Sequence, residues 1–131
     1  MRIQGFHHLA IQVGDVERVT RFYREVLGLP EQVRHLRPDG TVRSVWLQLP
    51  GSTFLAVEAA SGPVEAQPFR TDRPGILLVA LRIAREDRAA MVEELNRAGV
   101  PIVHQTRWTV YVQDPEGNRV ALSHHPHDPL G

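Results

Sequence analysis

At 131 residues, the chain is long enough for one domain that buries about two-thirds of its unfolded-state surface. Its 15 basic and 15 acidic residues cancel, so no net charge attracts nucleic acid or an anionic membrane, and the absence of cysteine excludes disulfides and thiol chemistry. Without a signal-peptide core or an apolar run of membrane-spanning length, we expect a cytoplasmic protein with no nucleic-acid or membrane partner.

The first predicted elements are a strand and an amphipathic helix. The apolar run FHHLAIQV, residues 6–13, lies between two glycines and predicts a strand. Asp15 is placed to cap a helix, and apolar side chains recur at helical spacing after it. Gly28 and Pro30 then indicate where that helix ends. We expect the helix over about 15–27.

The same succession returns in the second half of the chain. Residues 77–101 align with residues 7–30 and place Leu78 on His8. The alignment predicts a second helix over about 85–98. Three strand-like segments follow each helix, and the turns between them are rich in Gly, Pro and Asp.

This repeat predicts the fold class and the domain organisation. A duplicated strand–helix–three-strand unit predicts an α+β fold with two tandem βαβββ modules. We expect one domain over residues 1–131, in which module one covers about 3–62 and module two about 75–125. The aperiodic segment at about 63–74 is the predicted linker, and a short C-terminal tail follows module two.

Two motifs identify a family resemblance. The opening HLAIQVGDVERVTRFYREVLGL and the close YVQDPEGNRVAL, together with the repeat, resemble the vicinal oxygen chelate (VOC) superfamily. That superfamily holds glyoxalase I, extradiol dioxygenases, methylmalonyl-CoA epimerase, and the bleomycin and fosfomycin resistance proteins. The resemblance implies a mixed sheet curled into a cup, a small-molecule site inside the cup, and a homodimer. It is more specific for fold than for activity, because one fold hosts many chemistries.

The resemblance also implies four metal ligands, from the first and the last strand of each module. Carried over by position, these ligands fall on His8, Glu58, Leu78 and Ala121. Neither Leu78 nor Ala121 has a lone pair to donate, and divalent metals need several N or O donors. We therefore predict no cofactor, and weak binding of Zn, Ni, Fe or Mn by His8 and Glu58 stays open.

Period-two alternation predicts which side chains line the cup. The predicted pocket residues are His8, Trp46, Gln48, Phe54, Glu58, Leu78, Arg82, Tyr111 and Ala121. Aromatic walls with a few polar groups are typical of small-molecule sites. The alternative is that the aromatic residues fill the cup themselves or pack against a dimer mate. Outside this set, His7 is interpreted as structural and Arg119 as a solvated charge at a strand end.

Three functions stay open at this point. The residues favour a metal-independent binding protein of the resistance type, which holds a small, partly aromatic or hydrophobic compound. The second candidate is a metal-dependent lyase, isomerase or dioxygenase, and the two missing ligands count against it. The third is a metal-free enzyme in which His8 or Glu58 acts as acid or base. Whether the protein is an enzyme, and which residues are catalytic, stays open.

Overall fold

A computed structural model describes residues 2–65 and 68–130. By its contacts the chain forms two compact units, one that ends at Glu65 and one that follows it. The single-domain organisation stays a prediction. Of the predicted linker at about 63–74, residues 66 and 67 lie outside the described part of the chain, and the others form neither helix nor strand.

The first unit combines one helical segment with a four-stranded sheet. Its elements are β1 (His8–Val13), α1 (Val16–Arg21), a π-helical turn (Phe22–Val26), β2 (Glu31–Leu36), β3 (Val42–Leu49) and β4 (Thr53–Ala59). The strand order is β1-β4-β3-β2. Strand β1 runs parallel to β4, and the other neighbours are antiparallel. This is the mixed sheet that the family resemblance implies.

The helical segment formed by α1 and the π-helical turn, Val16–Arg21 and Phe22–Val26, begins and ends close to the predicted bounds of about 15–27. The Asp15 carboxylate accepts a hydrogen bond from the amide of Arg18 at 3.1 Å, which caps the first turn. At the other end, Gly28 has φ +78°, a left-handed conformation in which glycine avoids the steric penalty of a Cβ. The amide of Leu29 then bonds to the carbonyl of Tyr23 at 3.0 Å. The π-helical final turn is a detail that the sequence pattern did not predict.

The core of the first unit lies between α1 and one face of the sheet. Helix α1 packs against β3 and β4. The fully buried apolar side chains include Val13, Val19, Tyr23, Val45, Leu47 and Val57. In the register of β3 and β4, Val45 lies opposite Val57. The alternation predicted for β3 is therefore confirmed, with Val45 and Leu47 in the core and Trp46 on the opposite face.

The second unit repeats the architecture of the first. Its elements are a 3-10 turn (Arg85–Asp87), α2 (Arg88–Arg97), β5 (Val79–Arg82), β6 (His104–Gln105), β7 (Thr109–Gln113) and β8 (Arg119–Ser123). The order is β5-β8-β7-β6, with β5 parallel to β8. The α+β class with two tandem βαβββ modules is confirmed. No helix within residues 2–65 or 68–130 is long and apolar enough to cross a membrane.

One face of the second sheet is also apolar and buried. Val110 lies opposite Leu122, and Val112 lies opposite Val120. The side chains of all four are buried. Because side chains alternate along a strand, the neighbouring residues of β7 and β8 point to the other face of this sheet.

A cluster of charged side chains ties β2 to the helical segment. Arg34 donates hydrogen bonds to Glu31 at 2.8 and 3.2 Å and also pairs with Glu17 of α1, while Arg24 donates to Glu31 at 3.2 Å. The hydrogen bonds from Arg34 are the main cause that lowers the pKa of the Glu31 carboxyl below its ordinary value. A carboxyl with a lowered pKa stabilises the fold above its unfolded-state pKa. That stability is lost as the pH falls through the folded-state pKa.

We expect Glu31→Gln to lower the free energy of unfolding at neutral pH by about 1 kcal/mol or less, because the pairs are partly exposed to solvent. The difference from the parent should shrink as the pH falls below about 4, where the carboxyl protonates in the unfolded chain. Urea denaturation at both pH values measures this. Glu25→Gln is the control, since the Glu25 carboxylate lies 3.6 Å from Arg24 with its side chain 60% exposed. An equal loss in both variants would contradict the prediction.

Candidate functional site

The face of the first sheet opposite α1 carries one aromatic ring from each of its four strands. His8 of β1 stacks on Phe54 of β4, with ring centroids 4.6 Å apart and planes at 1°. Phe54 stacks on Trp46 of β3 at 4.4 Å and 20°. The ring of His35, from β2, meets Trp46 edge-on at 4.9 Å. Because the strand order is β1-β4-β3-β2, the rings form a continuous row, and we name this the aromatic face.

Phe54 lies inside the row and is the least accessible of the predicted pocket aromatics in the first unit. Its ring contacts His8 on one side and Trp46 on the other, and the residue is 7% exposed. It therefore supports the neighbouring rings and presents little surface of its own. Trp46 is half-buried and is better placed to meet a ligand.

Three buried polar atoms on the aromatic face have no hydrogen-bond partner in the described part of the chain. They are Trp46 Nε1, His35 Nε2 and Ser44 Oγ. Ser44 is 1% exposed and lies between His35 and Glu58 in the strand register. An unpaired buried polar group costs about 1–3 kcal/mol, so such groups almost always meet a partner. These three atoms therefore mark the aromatic face as a place where hydrogen-bonding capacity is left unused.

His7 precedes β1, but its ring joins the same row. His7 Nδ1 lies 2.8 Å from His8 Nδ1, and its ring meets Phe54 edge-on at 5.7 Å. One Nδ1 must donate and the other accept, which leaves Nε2 of His8 for any ligand, metal or proton. The interpretation of His7 as structural missed this contact, because strand alternation does not govern a side chain that lies before the strand.

Glu58 shares the aromatic face with His8 but lies far from it. In the parallel register, His8 lies opposite Phe54, whereas Glu58 lies opposite Gln12. Four residues along an extended strand span about 13 Å. Metal–ligand bonds are about 2 Å long, so these two side chains cannot hold one ion together. The register does not support the His8–Glu58 pair that the resemblance implied.

The internal repeat shows which residue of β4 corresponds to Ala121. Ala121 lies opposite Ala80 in the second sheet. The residue equivalent to Ala80 in the first sheet is Ala10, and Ala10 lies opposite Ala56. Ala56 therefore occupies the ligand position of β4, and its assignment to Glu58 was misplaced by two residues.

The residues at the four family positions do not fit a divalent metal. With this correction, three of the positions are the apolar residues Ala56, Leu78 and Ala121, and only His8 has a lone pair. Catalytic sites for such metals use at least three protein donors. Within residues 2–65 and 68–130, no three His, Cys, Asp or Glu side chains cluster closely enough to hold an ion.

The corresponding face of the second sheet holds an arginine between two aromatic rings. The Cζ of Arg119 lies 4.0 Å from the ring centroid of Phe69 and 4.7 Å from that of Tyr111. The Tyr111 ring also contacts His104, with centroids 5.4 Å apart. We name this the Arg119 face. The interpretation of Arg119 as a solvated charge is wrong, because Arg119 is half-buried and its Nε is fully buried.

The predicted pocket residues divide between the two faces. The aromatic face holds His8, Trp46, Gln48, Phe54 and Glu58. The Arg119 face holds Arg82, Tyr111 and Ala121 by register, and Leu78, which immediately precedes β5, by alternation. His35 and Arg119 were not among the predicted pocket residues. Alternation could have found Arg119, which lies two residues before Ala121 on β8. The face of His35 depends on the register of β2 with β3, in which His35 lies opposite Ser44.

Comparison with known proteins agrees with the fold. A sequence model of the Glyoxalase/Bleomycin resistance protein/Dioxygenase superfamily matches residues 5–122. Similar solved structures include a glyoxalase/dioxygenase from Nostoc punctiforme, with a TM-score of 0.79, 20% identity, and coverage of 96% of this chain and 94% of that one. The fosfomycin resistance protein FosX from Listeria monocytogenes, complexed with Mn(II) and sulfate ion, has a TM-score of 0.71 and 17% identity. The match covers 93% of each chain. Lactoylglutathione lyase from Agrobacterium tumefaciens has a TM-score of 0.67 and 18% identity, and the match covers 95% of this chain and 96% of that one.

Proposed function

Since the chain belongs to the Glyoxalase/Bleomycin resistance protein/Dioxygenase superfamily, we propose that it binds a small molecule without a metal ion. The ligand is a small, partly aromatic or hydrophobic compound, and the protein holds it as a resistance protein of the binding type would. The observation that carries the proposal is the aromatic face, where a row of rings lies beside three buried polar atoms that lack partners.

The chemistry of the aromatic face suits a compound that joins an apolar body to hydrogen-bonding groups. Contact with an aromatic ring contributes about 0.5–1.5 kcal/mol beyond the area that it buries. Trp46 Nε1 is a donor, and Ser44 Oγ and His35 Nε2 lie on the same side of the sheet. Ala10 and Ala56 face each other between the two ends of this face and add little bulk. A ligand body against the rings would bring its polar groups to these atoms.

A metal-free enzyme is the second candidate, and the contact between His7 and His8 favours it. Their Nδ1 atoms lie 2.8 Å apart, and in the tautomer in which His8 donates from Nδ1, its Nε2 is left to take a proton from a substrate. Glu58 cannot assist from about 13 Å along the strands. A metal-dependent lyase, isomerase or dioxygenase is disfavoured by the donor set, although the Listeria protein is complexed with Mn(II).

The ligand positions predict little metal in the purified protein. After dialysis, and without a tag, we expect well under one equivalent of Zn, Ni, Fe or Mn by elemental analysis, because one imidazole binds such ions weakly. A stoichiometric ion would contradict this.

A homodimer is part of the proposal, as is the predicted cytoplasmic location. Apolar side chains are exposed just before the first strand of each unit: Ile3 is 78% exposed, Phe6 67% and Ile76 83%. Association would remove such surface from water. We expect light scattering to give the mass of a dimer at micromolar concentration. A monomer at that concentration would remove this part of the proposal.

Trp46 should contribute most to ligand binding. With a compound found by thermal-shift screening, we expect Trp46→Ala to weaken binding about tenfold or more, because both the ring contact and the donor are lost. Trp46→Phe keeps the ring and should weaken it about two- to tenfold. Isothermal titration calorimetry measures both. The control is Trp108→Phe, which should leave ligand binding unchanged. The Nε1 of Trp108 is also buried and without a partner among the described residues, but this ring contacts His125 in the second unit.

His8 separates the two candidate functions. If the protein only binds its ligand, His8→Ala should weaken ligand binding less than Trp46→Ala does. If His8→Ala abolishes turnover of a substrate and leaves its binding unchanged, the metal-free enzyme is the correct function. If neither Trp46→Ala nor His8→Ala changes binding, the rings only pack the face and the proposal is wrong.

A further inference from the structure

The Arg119 face holds a guanidinium that forms no ion pair with any carboxylate of residues 2–65 and 68–130. We propose that Arg119, held between Phe69 and Tyr111, is a binding site for an oxyanion, a carboxylate or a phosphate group of a small molecule. This goes beyond the proposed function, because it assigns an anion site to the second unit by itself.

The two rings hold the guanidinium in place. Its Cζ lies 4.0 Å from the centroid of Phe69 and 4.7 Å from that of Tyr111, both within the range of cation–π attraction. The rings contact the carbon and leave the N–H donors for oxygen acceptors. A guanidinium presents these donors as a planar fork, which matches the two oxygens of a carboxylate or phosphate.

The fork lacks an acceptor within the described residues. The buried Nε of Arg119 has no hydrogen-bond partner there. No carboxylate in residues 2–65 or 68–130 forms an ion pair with it, whereas Arg107, which stacks on Trp108 at 4.9 Å, pairs with Asp128. A buried donor on a cation is costly to leave unpaired. An anionic ligand would supply the missing acceptor.

The surrounding face is positive. The register places Arg82, Gln113 and Ser123 on the face of Arg119, and none of the side chains on that face of the described strands is acidic. The nearest acids before Arg119 in the chain are Glu116 and Asp114, and both lie in the turn between β7 and β8, outside the strands. Asp114 has a structural role. Its carboxylate accepts hydrogen bonds from Asn118 and from a backbone amide, at 2.8 and 2.9 Å, and so holds the turn before β8. A face with only positive charge attracts small anions.

The test uses anions that have no aromatic ring. Sodium acetate and inorganic phosphate are titrated into the full chain, and the side-chain Nε–H signal of Arg119 is followed by NMR, with sodium chloride at matched ionic strength as the reference. We expect a saturable shift of this signal with acetate or phosphate and not with chloride. The anion that saturates the shift at the lower concentration, acetate or phosphate, identifies the class of anion that the site prefers. Equal shifts with all three salts would overturn the proposal.

The variants test the same point by calorimetry. We expect Arg119→Met to weaken the binding of the preferred anion about tenfold or more. Arg119→Lys keeps the charge but loses the planar fork of donors, so it should keep part of the affinity. Arg107→Met removes the same charge from a compensated site and should leave affinity unchanged. If Arg119→Met does not fold, the parent NMR titration and Arg119→Lys decide. Unchanged affinity in folded Arg119→Met, or an equal loss in Arg107→Met, overturns the proposal.

A neutral ring compound separates this inference from the proposed function. Benzamide has a ring and hydrogen-bonding groups without charge, so its binding should depend on Trp46 and not on Arg119. If acetate or phosphate shifts Arg119 but benzamide does not bind, the subsite stands and the proposed use of the aromatic face fails. If benzamide binds through Trp46 and no anion acts on Arg119, the inference fails and the proposed function stands.

Discussion

The parallel pairing of the first and last strands in each unit decides which side chains of this protein can meet. It places His8 opposite Phe54 in the first sheet and Ala80 opposite Ala121 in the second. Because side chains alternate, a slip of one residue would turn the ring row into the core and the core valines outward. The buried face of Val45 and Val57 makes such a slip unfavourable. The site is thus specified by the same pairing that specifies the core.

The two faces of the first sheet obey different physical rules. On the helix side, the buried centre follows the ordinary rule for a core, because Val45, Leu47 and Val57 pack as aliphatic side chains. Arg34 lies at the edge of this side and pairs with Glu17 of α1. The aromatic face departs from that rule, because Trp46, His35 and Ser44 bury polar atoms without partners. Departures from local consistency are expected where a protein is built to bind something else. The contrast between the faces is therefore a stronger sign of function than any single residue.

The sequence predicted those features that depend on local patterns, and it missed those that depend on pairing between distant segments. Asp15 and Gly28 mark the two ends of the first helical segment in the sequence itself, and the core positions of β3 follow from alternation. The offset of Glu58 from His8 is a matter of register, which alternation alone leaves undetermined by steps of two residues. The contact of Arg119 with Phe69 joins a strand to an aperiodic segment, where no periodic pattern could indicate it.

The duplicated positions bear on the proposal that this protein holds a small molecule without an ion, in a fold that a similar solved structure shows complexed with Mn(II). Phe54 and Arg119 are equivalent in the repeat, since each lies two residues before the alanine that faces Ala10 or Ala80. One copy of the unit places a ring at this position and the other places a cation. A metal ion supplies positive charge only where several donors converge, and Ala56, Leu78 and Ala121 provide none. A stacked arginine supplies the same sign of charge from a single side chain, so the loss of ligands need not abolish recognition of an oxyanion.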